Sequence, residues 1–247
     1  MARRSTVWCE PRRARDHAGV SRNGDERRGE PHMSRPVAVY GAGGHAKVVA
    51  DALLLTGVEV IGFIDDDPAL EGDRVLTLPV HGFAWLRERA RDVDVAMGIG
   101  DNRVRALLVR RCREAGIGLA GVVHPAAVVA ASASVGEGTV LMARAVINAD
   151  AVVGPGVIVN TSAVVEHDVV VGEFAHLSPG AVLAGGSALG AFSSLGVGAV
   201  VLDDIAVGAG TIVGANAVVN RHLPDDVVAY GVPARVRRQL TPTGATE

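Results

Sequence analysis

From Val123 to Val219, every sixth residue is Val, Leu or Ile, 17 positions in succession without an exception. The residue two before each is usually small (Ala127, Ala133, Thr139, Ala145, Ala151), and the one after is often Gly or Asn (Gly136, Asn148, Gly154, Asn160, Gly172). A period of six fits neither the 3.6-residue turn of a helix nor the two-residue alternation of a strand. It is the signature of a parallel β-helix, in which each hexad gives one short strand and a corner and three hexads close a triangular coil. The aliphatic ladder points inward and stacks on itself, the small residue fits beside it, and the Gly or Asn is expected to tolerate the corner backbone. The chain has few rings to offer such a core, being 49% hydrophobic with 31 glycines and only 3% aromatics.

The first half reads differently. Residues 36–66 give a short apolar run, the turn G-A-G-G-H-A-K, an amphipathic segment with Val48, Val49, Ala52 and Leu53, and a second apolar run ending in Asp65 and Asp66. That is a β-α-β unit. Its glycines let backbone amides at a helix N-terminus approach a phosphate, and acids at the end of the second strand are placed for a ribose or base. The motif is not the full G-x-G-x-x-G of a dinucleotide site, so a nucleotide-sugar suits it better than NAD. A third apolar run, 93–102, ends in Gly100, Asp101 and Asn102. The ends of parallel strands converge on one edge, so Gly43, Gly44, His45, Asp65, Asp66 and Gly100 are expected around one pocket. The expected organisation is a leader over 1–32, a Rossmann-like α/β domain over 33–120, a β-helix over 121–222 and a tail over 223–247.

Charge narrows the function. The net charge is −3, which disfavours phosphate-backbone binding. It is unevenly spread: residues 1–32 hold eight arginines against five acids, leaving 16 basic and 22 acidic residues elsewhere. That leader lacks the apolar stretch of a secretory signal and is too polar to build a core. The biological start is expected at Met33, with a nucleic-acid tail or targeting arm as the alternatives. Cys9 and Cys112 make no disulfide framework. The uncharged stretch from Ala115 to Gly136 is long enough for a membrane span, but the six-residue period runs through it. A soluble cytoplasmic protein is expected.

With the repeat in place, Y-G-A-G-G-H-A-K-V-V, I-G-F-I-D-D, G-I-G-D-N, N-T-S-A-V-V-E-H-D and G-V-P-A-R resemble the bacterial sugar O-/N-acyltransferase family. The family comprises sialic acid O-acetyltransferases and N-acetyltransferases of nucleotide-linked amino-sugars, and the resemblance spans about residues 36–236. It implies a left-handed β-helix, a homotrimer with active sites between neighbouring prisms, acetyl-CoA as co-substrate and no metal. By the resemblance His167 is the general base and Asp168 the acid that raises its basicity, where family members often carry Glu. His176, Val197 and Ala215 would contact acetyl-CoA. The residues themselves agree in part: His167 falls near a corner, where side chains face outward, and Glu166 and Asp168 favour its imidazolium. His176 precedes an inward leucine and also points away from the core. His124 and His222 read as structural, and the closing arginines as either phosphate contacts or a solvated tail. Two other classes stay open: a zinc enzyme resembling the β-helical carbonic anhydrases, whose histidine pair five apart is missing here, and a non-catalytic β-helix.

Overall fold

A computed structural model describes residues 35–241; the expected leader lies outside the described residues. The α/β part begins with β1 (Val37–Tyr40), α1 (Gly44–Leu55) and β2 (Val60–Ile64). After it come β3 (Arg74–Val75), β4 (Leu78–His81), α2 (Phe83–Glu88), β5 (Asp94–Met97) and α3 (Asn102–Glu114). The sheet order is β3-β4-β2-β1-β5, parallel except for β3 against β4. β1 is buried along its whole length, as a parallel strand covered on both faces must be.

Seventeen two-residue strands follow, from Val122–Val123 to Val218–Val219, one per hexad. Each pairs in parallel with the strand 18 residues away, as Val146 with Val164 and Ile158 with His176. The strands therefore sort into three faces of a left-handed prism. Every ladder position from Leu141 to Val219 is buried in one continuous aliphatic core, whereas Val123, Val129 and Val135, on the first coil, are exposed.

The structure corrects the reading of the corners. The left-handed backbone falls three residues after the ladder positions from Val135 to Val213 (Arg144, Asp150, Gly156, Ser162, Asp168 and Phe174 among them), not at the Gly or Asn directly after them. Those glycines answer a different need. A Cβ on Gly154 would sit 2.8 Å from the amide N of Glu173, and one on Gly172 2.4 Å from that of Ala191. Stacked coils approach too closely there for a side chain.

The first face carries Val122, Val140, Ile158, His176, Ser194 and Ile212 outward, and its lower half is covered by the α/β domain. Val122, Val140, Met142 and Ile158 share one buried cluster with Val37, Val39, Ala46, Val49 and Leu53. The second face presents only valine outward: Val128, Val146, Val164, Val182, Val200 and Val218. The third presents Ser134, Val152, Val170, Ala188 and Ala206. As far as Thr241, the region expected to be a tail is a hairpin of β23 (Val227–Tyr230) and β24 (Arg235–Gln239). β23 extends the first face, with Val213 opposite Ala229. The spacing from Val219 to Ala229 breaks the period of six, which hides this last rung in the sequence.

Candidate active site

His167 lies at the corner between the second and third faces. The hexad holds its backbone on both sides: the carbonyl of His167 accepts from the amide of Gly186 at 3.0 Å, and the amide of Asp168 donates to Ala149 at 3.1 Å. Asp168 takes the left-handed corner position (φ 61°), which a short polar side chain tolerates. There its Oδ2 stands 2.8 Å from His167 Nδ1. An ionised carboxylate only accepts, so Nδ1 carries the proton and Nε2 keeps its lone pair. The hydrogen bond to Asp168, then the charges of Asp168, Glu166 and Asp203, raise the imidazole above its ordinary value. Both side chains are open to solvent, 63% and 66% exposed.

Two neighbours of His167 carry no signal in the local sequence. Gly185, directly above it on the next coil, has no side chain because the imidazole occupies that space; a Cβ there would meet Nε2 at 2.7 Å. Asn148, one coil below, donates to Glu166 at 2.7 Å, which leaves Asp168 as the carboxylate bonded to the ring. A spacing of 18 residues, from Gly185 to His167 and from Asn148 to Glu166, is the only trace of either, and it can be used only once the coil is known.

His176 points outward as expected, but from the face that the α/β domain covers. Its ring lies 6.4 Å from that of His45, and Asn160 Nδ2 is 3.3 Å from its Nε2. Asn160 Oδ1 already accepts from the amide of Thr161 at 2.8 Å. That fixes the amide, so Asn160 donates to Nε2 and the other ring nitrogen carries the proton. Burial, with the charges of Arg105 and His45, pushes His176 down to about 4, against a hydrogen bond with the Gly100 backbone. Burial also lowers His45, whose Nε2 is buried and unpartnered.

The Gly-rich turn forms as expected, with Gly43 as the N-cap of α1 and open space where Cβ atoms on Gly43, Gly44 and Gly100 would be. Asp65 and Asp66 end β2, yet both carboxylates have intramolecular work. Asp65 accepts from the amides of Ala42 and Asp67 at 2.9 and 3.0 Å. Asp66 accepts from Arg111 at 2.8 and 2.9 Å and from the Tyr40 hydroxyl at 3.1 Å, and Arg111 stacks on Phe83 at 3.7 Å. Asp101 caps α3 by accepting from Arg103 and Val104. Beside Gly100 opens a cavity of about 400 Å³, lined also by Asn102, Arg103, Ser194, Ile212 and Asp226. Val197 and Ala215 are stacked at the corner between the first and second faces, where the Asn216 amide donates to Val197 at 2.8 Å. Among the described residues, no three His, Cys, Asp or Glu side chains come together to hold a metal ion, and no helix is long and apolar enough to cross a membrane.

A family model for the PglD N-terminal domain matches residues 36–112. Among solved structures, PerB from Caulobacter crescentus, in complex with CoA and GDP-perosamine, is 45% identical at a TM-score of 0.77, covering 82% of this chain and 97% of PerB. The chain belongs to the hexapeptide-repeat sugar acetyltransferases. It is therefore an acyltransferase. The acetyltransferase domain of PglB from Neisseria gonorrhoeae is 38% identical (TM-score 0.77, 83% of this chain and 100% of that one), and it too has been solved with acetyl coenzyme A. WeeI from Acinetobacter baumannii shares 27% identity at the same TM-score, covering 83% and 100%. Two further structures are histidine variants of the Caulobacter perosamine N-acetyltransferase, 44% identical and also in complex with CoA and GDP-perosamine. No curated protein matches the chain.

Proposed function

We propose that this acetyltransferase moves the acetyl group of acetyl-CoA to the amine of a nucleotide-linked amino-sugar in cell-surface glycan biosynthesis, with His167 as general base. The observation that carries the reading is the His167–Asp168 pair: a solvent-open imidazole whose Nδ1 is held at 2.8 Å by a carboxylate. As the amine nitrogen bonds to the thioester carbonyl, His167 Nε2 takes its proton. Asp168 stabilises the imidazolium, which returns the proton to the departing thiolate as the tetrahedral intermediate collapses. General-base assistance of this kind is worth about 10²–10⁴-fold in rate.

The nucleotide-sugar is assigned to the open turn of Gly43, Gly44 and His45, with Gly100, Asp65 and Asp66 shaping its rim. CoA is assigned to the corner column that Thr161 and Pro179 begin and Val197 and Ala215 continue. His176 stands between the two, touching Gly100 on one side and Asn160, at the foot of that column, on the other. In a triangular prism the corner bearing His167 is opposite the face bearing the α/β domain. The base of one chain and the nucleotide turn of the same chain are thus on opposite sides of an aliphatic core, and a complete site needs two chains. The all-valine second face supports the homotrimer that such sharing requires, because a contiguous apolar strip favours burial.

Thiol release from acetyl-CoA, measured against a panel of GDP- and UDP-linked amino-sugars and free sialic acid, tests the reading. Transfer to a nucleotide-linked amine is expected, and His167→Ala should lower kcat at least about tenfold while leaving nucleotide affinity unchanged. Full activity in His167→Ala removes the general-base role, and transfer to sialic acid alone replaces the acceptor.

A further inference from the structure

Arg105, in the second turn of α3, is completely buried. Every hydrogen bond it makes runs to a carbonyl or amide oxygen. Nε donates to Gly156 at 2.8 Å, Nη1 to Ile99 and Gly100 at 3.0 Å each, and Nη2 to Asn102 Oδ1 and Phe174 at 2.9 Å each. Burial lowers its pKa to about 10. Desolvating a guanidinium without a bonded carboxylate is costly, and an apolar side chain of similar volume would fill the same space without that cost. What the guanidinium adds is geometry: a planar fork of donors that joins several backbone segments in one arrangement. Asn102 continues the pattern, its Nδ2 donating to Phe192 and Ser193 at 3.0 and 3.2 Å and to Ser194 Oγ at 3.0 Å. Gly156, Phe174 and Phe192 are spaced 18 residues apart, so they occupy one corner on three successive coils.

We propose that Arg105 and Asn102 are positioning residues of the nucleotide-sugar site, a clamp that sets the axial register of the α/β domain along the prism and so places Gly100 and His45 over His176. The rungs on either side of His176 on that face are Ile158 and Ser194. A slip of one coil would put an isoleucine or a serine under the Gly-rich turn, whereas the clamp reads three coils at once and admits one register. The Gly100 carbonyl that Arg105 holds belongs to the backbone that bonds His176, so clamp and histidine share a group. The inference rests on the nucleotide-sugar reading of the Gly-rich turn.

The test uses the full-length chain with Arg105→Lys, which keeps the charge but replaces the fork by a compact ammonium, and Asn102→Ala, which removes the contacts at Phe192–Ser194 and one acceptor of Arg105 Nη2 while leaving the bonds of Arg105 to Gly156, Ile99, Gly100 and Phe174 in place. The readouts are separate KM values for nucleotide-sugar and acetyl-CoA, together with an NMR titration of the His176 imidazole. Expected for Arg105→Lys are a KM for nucleotide-sugar raised at least about tenfold, a KM for acetyl-CoA within about twofold, and a His176 titration moved up toward the ordinary histidine range. Asn102→Ala should move all three the same way by less, and it carries the test if Arg105→Lys fails to fold. Equal loss toward both substrates, or no change in either KM, overturns the clamp. If the unaltered protein acetylates no nucleotide amino-sugar, the functional reading fails by itself. The titration still decides the clamp, because an unmoved His176 contradicts it.

Discussion

The left-handed turn of Asp168 links local backbone to chemistry. At φ 61° the residue both closes the corner and swings its carboxylate to 2.8 Å from His167 Nδ1. The shorter acid in place of the glutamate often found in the family therefore reaches the ring, because the corner brings it there. The consequence is a pH profile. Only neutral imidazole accepts a proton, so with His167 as the proposed base the acid limb of kcat/KM should follow the pKa of His167, which the Asp168 hydrogen bond raises. In Asp168→Asn that support is lost, and the limb should move to lower pH. The plateau should fall about ten- to a hundredfold, because the base is weaker and its tautomer no longer fixed. Rate measurements from pH 5 to 9 decide it, and a limb that stays in place would show that Asp168 does not set the basicity of His167. Glu166 does not substitute, since Asn148 holds it. The six-residue frame placed His167 outward near a corner, and the resemblance of N-T-S-A-V-V-E-H-D to the family singled out this pair. Gly185 and Arg105 were not legible, because what makes them matter lies 18 residues away in one case and 51 to 69 in the other.

The hexad separates the requirements of folding from those of function, which is why the elements of the prism were readable and their outward surfaces were not. An inward ladder position must be aliphatic to fill the core, and that constraint repeats until it is plain. An outward position meets whatever covers its face, and covering elements are set by tertiary contacts that a periodic pattern does not encode. His176 is the example: its outward direction was legible, while its burial against His45 needed the α/β domain in place. The second face makes the same point, since six outward valines are not required by the prism itself. Val182, in the middle of that strip, is half-buried within one chain. Val182→Arg should leave the coil intact, because the side chain points away from the ladder, but a charge buried between chains without a partner costs several kcal/mol. Light scattering is expected to show the assembly reduced to single chains, with an unchanged circular dichroism spectrum and activity lost. An assembly of wild-type mass and full activity would show that this face is not an interface.

At the scale of the whole molecule, the proposed site draws its base from one chain and its nucleotide turn from another. His167 is on the corner opposite the covered face, and Gly43, Gly44 and His45 are held on that face by the packing of α1 against Val122, Val140 and Ile158. Two chains that are each inactive for different reasons should then restore one another. His167→Ala removes the base and leaves the α/β domain intact. Gly43→Glu places a carboxylate in the open space at the start of α1, where it repels a phosphate, and leaves His167 intact. Each variant alone is expected to be nearly inactive. Unfolded together at equal amounts and refolded, they should form mixed assemblies in which a site works when its base comes from the Gly43→Glu chain and its nucleotide turn from the His167→Ala chain. Random assortment makes that combination about one site in four, so about a quarter of wild-type activity should return. The same proteins mixed without unfolding serve as the control, since intact assemblies should not exchange. If a site used a single chain, no mixed assembly could contain a working one, and activity would stay at the level of the separate variants.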